Sequence, residues 1–286
     1  MNISITECPR DAMQGIHAFI PTEEKILFLN ALLKVGFPVL DAGSFVSPKA
    51  IPQLADTAEV FRKINWQDSK SKLLAIVANK RGAEEAVATD GVEFLGFPFS
   101  VSETFQMRNT NSTIAESYNR VAEIQELCVR FNRKLMVYLS MAFGNPYGDP
   151  WNAELVCKQA LRMKEAGIRY IALADTTGVS TNEGITGLFE TLLPELPEIQ
   201  VSAHLHALPG SVVPKLEAAW NAGCRYFDTA IRGFGGCPMA SDDLTGNMAT
   251  EKVVDWAEAK NYTSGLDLQA FEAAQKIAVR LFNTYQ

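Results

Sequence analysis

The stretch RYIALADTTGVSTNEGITGLFETLLPELPEIQVSAHLHA, residues 169–207, contains two short apolar runs separated by a segment of helical length. The runs 169–175 and 199–207 are rich in β-branched or apolar residues, which predicts buried β-strands. Residues 181–193 between them have the length and amphipathic pattern of a helix. A strand, a helix and a second strand in this order predict a βαβ unit with parallel strands.

The same alternation continues in both directions along the chain. It predicts eight strands, at 3–8, 38–45, 72–79, 91–97, 134–143, 169–175, 199–207 and 225–231. It predicts eight intervening helices, at 22–35, 49–64, 81–89, 112–132, 151–166, 181–193, 211–222 and 250–260. Eight βα units over about 250 residues predict an α/β fold, the (β/α)8 TIM barrel. An open doubly wound sheet is the alternative, and it is disfavoured because no GxGxxG motif follows the first strand.

Length and composition set further bounds. The chain has 286 residues, of which 47% are apolar, so we expect one catalytic barrel domain over residues 1–286 with an additional C-terminal helix at about 267–283. The net charge is −7 and the basic residues are dispersed, which argues against a nucleic-acid or anionic-membrane partner. The start MNISITECPRD has neither a basic region nor an apolar core, so we expect no signal peptide and a cytoplasmic protein. The five cysteines contain no CxxC pair, which favours reduced thiols.

Polar residues follow several of the predicted strands. In TIM barrels the active site is built at the carboxyl ends of the strands. The residues expected there are Glu7, Arg10, Asp11, Gln14, Asp41, Asp175, Thr176, His204 and His206. We expect the active site to be formed by this set.

His204 and His206 are two positions apart, so in a strand both imidazoles point to the same face. Two polar rings are costly to bury without strong partners, which favours a divalent metal over hydrogen bonding within the barrel wall. Asp11 is the best candidate for a further ligand, with a salt bridge to Arg10 as the alternative. Mixed nitrogen and oxygen ligands suit Mg²⁺ or Mn²⁺, while Zn²⁺ and Fe²⁺ stay open.

The run GFGGCP, residues 233–238, places Cys237 on a glycine-rich segment. The run lacks the lysine of a nucleotide-binding Walker loop. On spacing alone a structural role for Cys237 is as compatible as a chemical one. Its place on a glycine-rich loop favours exposure and chemistry.

Several longer motifs occur in a fixed order along the chain. They are ITECPRDAMQ (5–14), SFVSPK (44–49), ADTTGV (174–179), HLH (204–206), GFGGCPMA (233–240) and TGNMATE (245–251). Together they resemble the 3-hydroxy-3-methylglutaryl-CoA (HMG-CoA) lyase family, which consists of metal-dependent TIM-barrel lyases. The resemblance implies metal ligation by Asp11, His204, His206 and Asn247.

The resemblance also implies a reaction. Members cleave HMG-CoA by retro-Claisen chemistry to acetyl-CoA and acetoacetate, which implies an acyl-CoA substrate, Mg²⁺ or Mn²⁺ as the cofactor, and a place in leucine degradation and ketone-body formation. Arg10 is implied to contact the substrate carbonyl and Cys237 to act on the product side. Asp11 or a neighbouring imidazole accepts the hydroxyl proton. We expect Arg10, Gln14, Asp41, Asp175 and Thr176 to bind substrate.

Some positions depart from the family pattern. Asp41 stands where members usually have Glu, Ala207 where they have Asp, and LPG at 208–210 where they have YGQ. The segment 12–17 lacks a lysine associated with CoA binding. These departures leave open a related lyase or aldolase that acts on a different 3-hydroxyacyl-CoA or hydroxy acid.

Two other functions are less favoured. A carboligase of the same superfamily generally carries a longer C-terminal extension, and a catalytically silent barrel would not keep all four metal positions. The apolar face of segment 267–283 is expected to cover the barrel, and pairing with another subunit as a homodimer is the alternative.

Overall fold

The computed structural model describes residues 1–235 and 245–285. In this part of the chain, eight parallel strands close into a barrel in sequence order, and each is hydrogen-bonded to the next. The strands are β1 (Ser4–Glu7), β2 (Val39–Ser44), β3 (Lys72–Ile76), β4 (Val92–Ser100), β5 (Lys134–Ser140), β6 (Tyr170–Ala174), β7 (Gln200–His204) and β8 (Tyr226–Thr229). The prediction of a (β/α)8 barrel is confirmed.

Helices surround the barrel. Within the described residues they are α1 (Pro9–Gln14), α2 (Thr22–Val35), α3 (Thr57–Lys63), α4 (Lys80–Ala88), α5 (Glu103–Thr110), α6 (Ile114–Arg130), α7 (Ala153–Glu165), α8 (Asn182–Leu192), α9 (Val212–Asn221), α10 (Thr250–Ala259) and α11 (Leu268–Tyr285). Short 3-10 turns lie at Pro52–Leu54, Trp66–Asp68, Leu193–Glu195 and Ile231–Gly233. None of the described helices is long and apolar enough to cross a membrane.

The sheet is buried on both faces, as parallel sheets require. Side chains that alternate along the strands fill the barrel interior or pack under the helices. The interior cluster consists of Val39, Leu74, Ile76, Phe94, Met136, Tyr138 and Ala172. The outer faces and the helices share one continuous apolar layer, which is the larger core.

Two predicted helices differ from the structure at their starts. The helix predicted at 112–132 begins at Ile114, and the separate helix α5 precedes it. Asn111 ends α5 in the left-handed conformation at φ 48°, and the Thr113 hydroxyl then caps α6. The helix predicted at 49–64 is replaced by a 3-10 turn and α3, because Pro52 removes a backbone donor.

The C-terminal helix α11 packs on α2. The ring of Phe282 meets Phe28 edge-on at 6.0 Å and stacks on Phe234 at 4.1 Å. Phe271 meets Phe37 edge-on at 6.2 Å. The apolar face expected for segment 267–283 therefore covers the chain's own barrel.

We expect Phe282→Ala to lower the free energy of unfolding by about 3–5 kcal/mol, because a fully buried ring would leave a cavity between α2 and α11. Denaturant titration measures this change. The control Leu268→Ala lies on the same helix but is 41% exposed, and it should change stability by less than about 0.5 kcal/mol. Equal effects of the two variants would contradict the packing.

Candidate active site

Helix α1 follows β1 after a single residue and brings three predicted site residues together. Pro9 at its first position needs no hydrogen-bonding partner for its nitrogen, so the helix begins at once. Arg10 and Gln14 are four residues apart and lie on one face, and Asp11 is three residues from Gln14. The turn therefore presents a guanidinium, a carboxylate and an amide at the carboxyl end of β1.

The Arg10 guanidinium is the centre of a buried ion-pair network. Its Nε and Nη2 donate to the Asp41 carboxylate at 3.0 and 2.6 Å. Its Nη1 donates to Asp11 at 3.1 Å and to Gln14 at 2.7 Å. A guanidinium has five N–H groups, and these contacts use four of them. One N–H on Nη2 therefore has no partner assigned among the described residues.

The Asp11 carboxylate forms the salt bridge to Arg10 and also contacts Asn247, another proposed metal ligand. One carboxylate oxygen pairs with Arg10, and the other accepts a 2.6 Å hydrogen bond from the Asn247 amide. Burial raises the pKa of Asp11, but the cation of Arg10 and the two nearby imidazoles outweigh it and lower the pKa to about 2. Asp11 is therefore ionised at neutral pH.

The two histidines converge as the spacing predicts. His204 is the last residue of β7, and His206 forms an isolated bridge with Asn247. Their ring centroids are 5.5 Å apart. One ligand atom from each of Asp11, His204 and His206 lies within 4.8 Å of the other two, and all three residues are buried.

The two imidazoles differ in proton affinity. Burial lowers the pKa of His204, but its hydrogen bond to the Asp228 carboxylate and the charge of Asp11 outweigh this, so the pKa is raised. Burial and the neighbouring His204 lower the pKa of His206 to about 4. The surroundings of His204 thus favour positive charge, while His206 is neutral at neutral pH.

Unused polar atoms point to a cation at this cluster. Nδ1 of His206 and Oδ1 of Asn247 are buried and have no hydrogen-bond partner among the described residues. The Asn247 amide nitrogen is already used by Asp11 and by the Phe234 carbonyl, which leaves the amide oxygen as a free ligand. The residues fit a divalent cation bound by Asp11, His204, His206 and Asn247.

A second group of possible ligands shares His204. Cys8, His204 and Asp228 each offer one ligand atom, and these three atoms also lie within 4.8 Å of one another. Burial and the surrounding carboxylates raise the pKa of the Cys8 thiol well above its usual value, which opposes the thiolate form that metals bind. The Asp11 group lines the cavity described below, so we favour it.

Asp228 is a site residue that the sequence reasoning missed. Its carboxylate lies 3.2 Å from Nδ1 of His204, a contact that fixes the ring orientation and leaves Nε2 for a ligand. Asp228 is fully buried in the middle of β8. The sequence signal for Asp228 was a carboxylate within a strand of mostly buried residues.

Asp175 and Thr176 have different positions at the end of β6. The Asp175 carboxylate accepts a 2.8 Å hydrogen bond from buried Lys215 and others from the backbone and hydroxyl of Ser180. Lys215 also donates to the backbone carbonyl of His206 at 2.8 Å. Asp175 therefore supports the His206 backbone, and it is Thr176 that lines the cavity.

A cavity of about 200 Å³ opens in front of the cluster. The polar lining residues include Arg10, Asp11, Gln14, Thr176, His204 and His206. The apolar lining residues include Val46, Ile51, Ile76 and Phe105. Asp41 is paired with Arg10 and is not among the residues that line the cavity. Cys237 lies outside the described residues.

Glycine is required at one position beside the cluster. Gly235 has φ +104°, and an added Cβ would lie 2.6 Å from the Asn247 amide nitrogen and 3.1 Å from an Asp11 carboxylate oxygen. The backbone can approach these groups only without a side chain. Part of the glycine-rich run therefore serves close packing against the site.

The fold and the cluster define a (β/α)8 enzyme with a candidate divalent-metal site at the carboxyl ends of its strands. The model of the HMGL-like family matches residues 3–277, and the chain belongs to this family.

Named relatives agree with this assignment. The cytoplasmic 3-hydroxy-3-methylglutaryl-CoA lyase of Rattus norvegicus is 32% identical over 260 residues, which are 91% of this chain and 75% of the relative. The 3-hydroxy-3-isohexenylglutaryl-CoA/hydroxy-methylglutaryl-CoA lyase of Pseudomonas aeruginosa is 31% identical over 96% of this chain and 90% of its own. An HMG-CoA lyase of Acinetobacter baumannii, solved with coenzyme A and 3-methylmalate, superposes with a TM-score of 0.91 at 31% identity, over 99% of this chain and 92% of that one.

We expect Asp228→Asn to weaken Mn²⁺ binding by about 10- to 100-fold, because the neutral amide no longer stabilises the His204 ring as a ligand. Calorimetric titration of the metal-free protein measures the affinity. The control Asp255→Asn makes the same charge change on the exposed side of α10 and should leave the affinity unchanged. Unchanged Mn²⁺ affinity in Asp228→Asn would contradict the assigned role.

Proposed function

We propose that the chain cleaves 3-hydroxy-3-methylglutaryl-CoA to acetyl-CoA and acetoacetate. The observation that carries this proposal is the buried cluster of Asp11, His204 and His206, which lies at the cavity beside the Arg10 guanidinium. Family membership and the HMG-CoA lyases among the relatives support it. A divalent cation held by Asp11, His204, His206 and Asn247 would acidify the substrate hydroxyl and orient it.

The proton acceptor is Asp11 or one of the two neighbouring imidazoles. Cleavage requires removal of the proton from the tertiary hydroxyl, and the acceptor must be unprotonated at neutral pH and border the cavity. Asp11, with a pKa of about 2, and His206, with a pKa of about 4, meet both conditions. His204 also borders the cavity, and its Nδ1 is bonded to Asp228.

Arg10 is suited to stabilise the enolate that forms as the carbon–carbon bond breaks. Asp41 and Asp11 outweigh the effect of burial and raise the pKa of Arg10, so its charge is permanent. The remaining Nη2 N–H can be donated to the thioester oxygen as negative charge develops there. The ion pairs with Asp41 and Asp11 hold the guanidinium in place before substrate arrives.

We assign the final proton transfer to Cys237. The product carbanion must be protonated to give acetyl-CoA, and a thiol is a suitable acid for this step. Support for this role comes from the sequence, where Cys237 lies four residues after Gly233 and ten before Asn247. Gln14 and Thr176, which line the cavity, are proposed substrate contacts, and Asp41 and Asp175 act through Arg10 and Lys215.

The alternative substrate is another 3-hydroxyacyl-CoA with a larger apolar branch. The apolar cavity wall favours this candidate, and the relative from Pseudomonas aeruginosa is named for an isohexenyl substrate. The reaction type would be unchanged.

Further parts of the proposal concern the setting of the enzyme. Mg²⁺ or Mn²⁺ is the proposed metal because the ligand set combines carboxylate, amide and imidazole groups without a thiolate. A cytoplasmic location is supported by the cytoplasmic relative. We further propose a place in leucine degradation and ketone-body formation, as the family resemblance implies.

We expect the purified protein to release acetoacetate from HMG-CoA when Mg²⁺ or Mn²⁺ is present, because the metal ligands and Arg10 are positioned for the cleavage. Addition of a chelator should stop the release, and excess metal should restore it. A coupled assay with a panel of 3-hydroxyacyl-CoA thioesters measures the preference. Cleavage of a branched analogue without cleavage of HMG-CoA would contradict the proposed substrate and retain the reaction class.

We expect Cys237→Ser to keep the unfolding transition and the Mn²⁺ affinity while losing about 10²-fold or more in turnover, because a hydroxyl is a much weaker acid than a thiol. The control Cys157→Ser changes a thiol on α7, away from the cavity, and should retain activity. Steady-state assays of both variants make the comparison. Full activity in Cys237→Ser would remove the thiol from the mechanism.

A further inference from the structure

Glu7 is a buried carboxyl group that the proposed reaction does not use. It is the last residue of β1 and is 0% exposed. The carboxylate accepts a 2.8 Å hydrogen bond from the backbone N–H of Ile231 and a 2.6 Å hydrogen bond from the Thr250 hydroxyl. Glu251 on α10 is the charged group that acts on it, and this group carries the same sign.

A carboxyl group in this position is costly. Burial of a charge without a cationic partner is unfavourable, and an aliphatic side chain would fill the same space at lower free energy. What an aliphatic side chain would lack is the ability to accept the two hydrogen bonds. We therefore look for the role of Glu7 in the two groups that donate hydrogen bonds to it.

Those two donors lie at opposite ends of one segment. Ile231 follows the end of β8 and Thr250 begins α10, so one carboxylate binds the described residues at both ends of the stretch 231–250. Backbone hydrogen bonds join the same ends, from Ala230 to Met248 at 3.0 Å and from Thr250 to Ala230 at 3.1 Å.

The segment held in this way carries Asn247. Its amide nitrogen donates to Asp11 at 2.6 Å, and Asp11 lies four residues after Glu7 on the same chain segment. Asp11 thus follows β1, and Asn247 precedes α10. Glu7 is a side chain that connects these two parts of the chain.

We propose that Glu7 is a positioning residue that holds Asn247 against Asp11 by fixing both ends of segment 231–250 to the end of β1. The consequence for metal binding rests on the proposed function, because it assumes that Asn247 and Asp11 are ligands. The connection itself is a property of the metal-free protein.

The network accepts both protonation states of Glu7. Protonated Glu7 can donate to the Thr250 hydroxyl, which donates to Thr229 at 2.8 Å, and Thr229 in turn donates to the carbonyl of Thr6 at 3.5 Å. The N–H of Ile231 keeps its acceptor in both states. When Glu7 ionises, the Thr250 proton turns from Thr229 to the carboxylate.

The pKa of Glu7 is consistent with this network. Burial raises it to about 8, against the lowering effect of the Thr250 and Ile231 hydrogen bonds. Because the pKa of Glu7 is raised in the folded state, the contribution of Glu7 to the free energy of unfolding is complete below the unfolded value of 4.5. This contribution is lost as the pH rises through about 8. The other charged or titratable groups around it are Glu251, which contacts Arg232, and the Cys8 thiol.

The test compares two variants of Glu7 in the full chain. Glu7→Gln retains an acceptor for Ile231 and a donor for Thr250, as the protonated acid does. Glu7→Leu removes both. The control Ile5→Ala removes packing on the same buried face of β1 and leaves the hydrogen bonds of Glu7 in place.

The first measurement is amide hydrogen exchange in the metal-free protein, with the amides of β5 as an internal reference. We expect Glu7→Leu to increase exchange at Ile231 and Met248 by about tenfold relative to β5, and Glu7→Gln and Ile5→Ala to leave this ratio near that of the unmodified protein. An unchanged ratio in Glu7→Leu would overturn the proposal.

The second measurement is Mn²⁺ affinity by titration. We expect it to weaken by about tenfold in Glu7→Leu and to be retained in Glu7→Gln. Faster exchange with unchanged Mn²⁺ affinity would overturn the positioning role. If the unmodified protein bound no Mn²⁺, the proposed function would fail, while the exchange result would still report on the connection.

Thermal unfolding gives a third readout. Between about pH 5 and about pH 8, the Tm of the unmodified protein should fall relative to that of Glu7→Gln, because in this range Glu7 is protonated in the folded state and ionised in the unfolded state, so unfolding releases a proton. Parallel Tm curves for the two proteins would overturn the assigned titration.

Discussion

The pairing of β1 with β8 is the constraint on which the candidate site depends. The register Glu7↔Thr229 brings the end of the first strand beside the end of the last. Asp11 and Asn247, which are far apart in the sequence, then meet at 2.6 Å. An open sheet made of the same eight strands would keep every element and would separate these groups by its full width.

Buried charge in the site is balanced by geometry. Arg10 forms ion pairs with the carboxylates of Asp41 and Asp11, and Asp228 is hydrogen-bonded to His204. Lys215 neutralises Asp175 and binds the backbone of His206 at the same time. Each ion pair orients a group that faces the cavity, so the charges behind the site position the charges within it. Burial of these pairs therefore supports preorganisation more than stability.

Much of the fold followed from the sequence because its signals are local. Each strand is a short apolar run, each helix carries an amphipathic pattern, and the count of eight predicts closure. The histidine pair followed from a period of two. The breaks at Pro52 and Asn111 depended on single residues that interrupt a longer pattern, and these set the starts of two helices.

The rest of the site could not be read from local pattern. Asn247 came from family resemblance, because an amide in a turn has no periodic signal. Asp228 and Lys215 lie in apolar elements, and their partners His204 and Asp175 are distant in sequence. Asp175 binds Lys215 whereas Thr176 lines the cavity, because adjacent side chains at the end of β6 point in different directions. Only the closed barrel determines these pairings.

Barrel closure also has a consequence during synthesis of the protein. Strand β1 leaves the ribosome first and has no partner on one side until β8 follows, so the nascent chain presents an unpaired parallel edge throughout most of translation. The candidate metal ligands Asp11 and Asn247 are likewise far apart in the sequence. The early sheet therefore exposes this edge during translation, and the candidate metal site is complete only after Asn247 has been added.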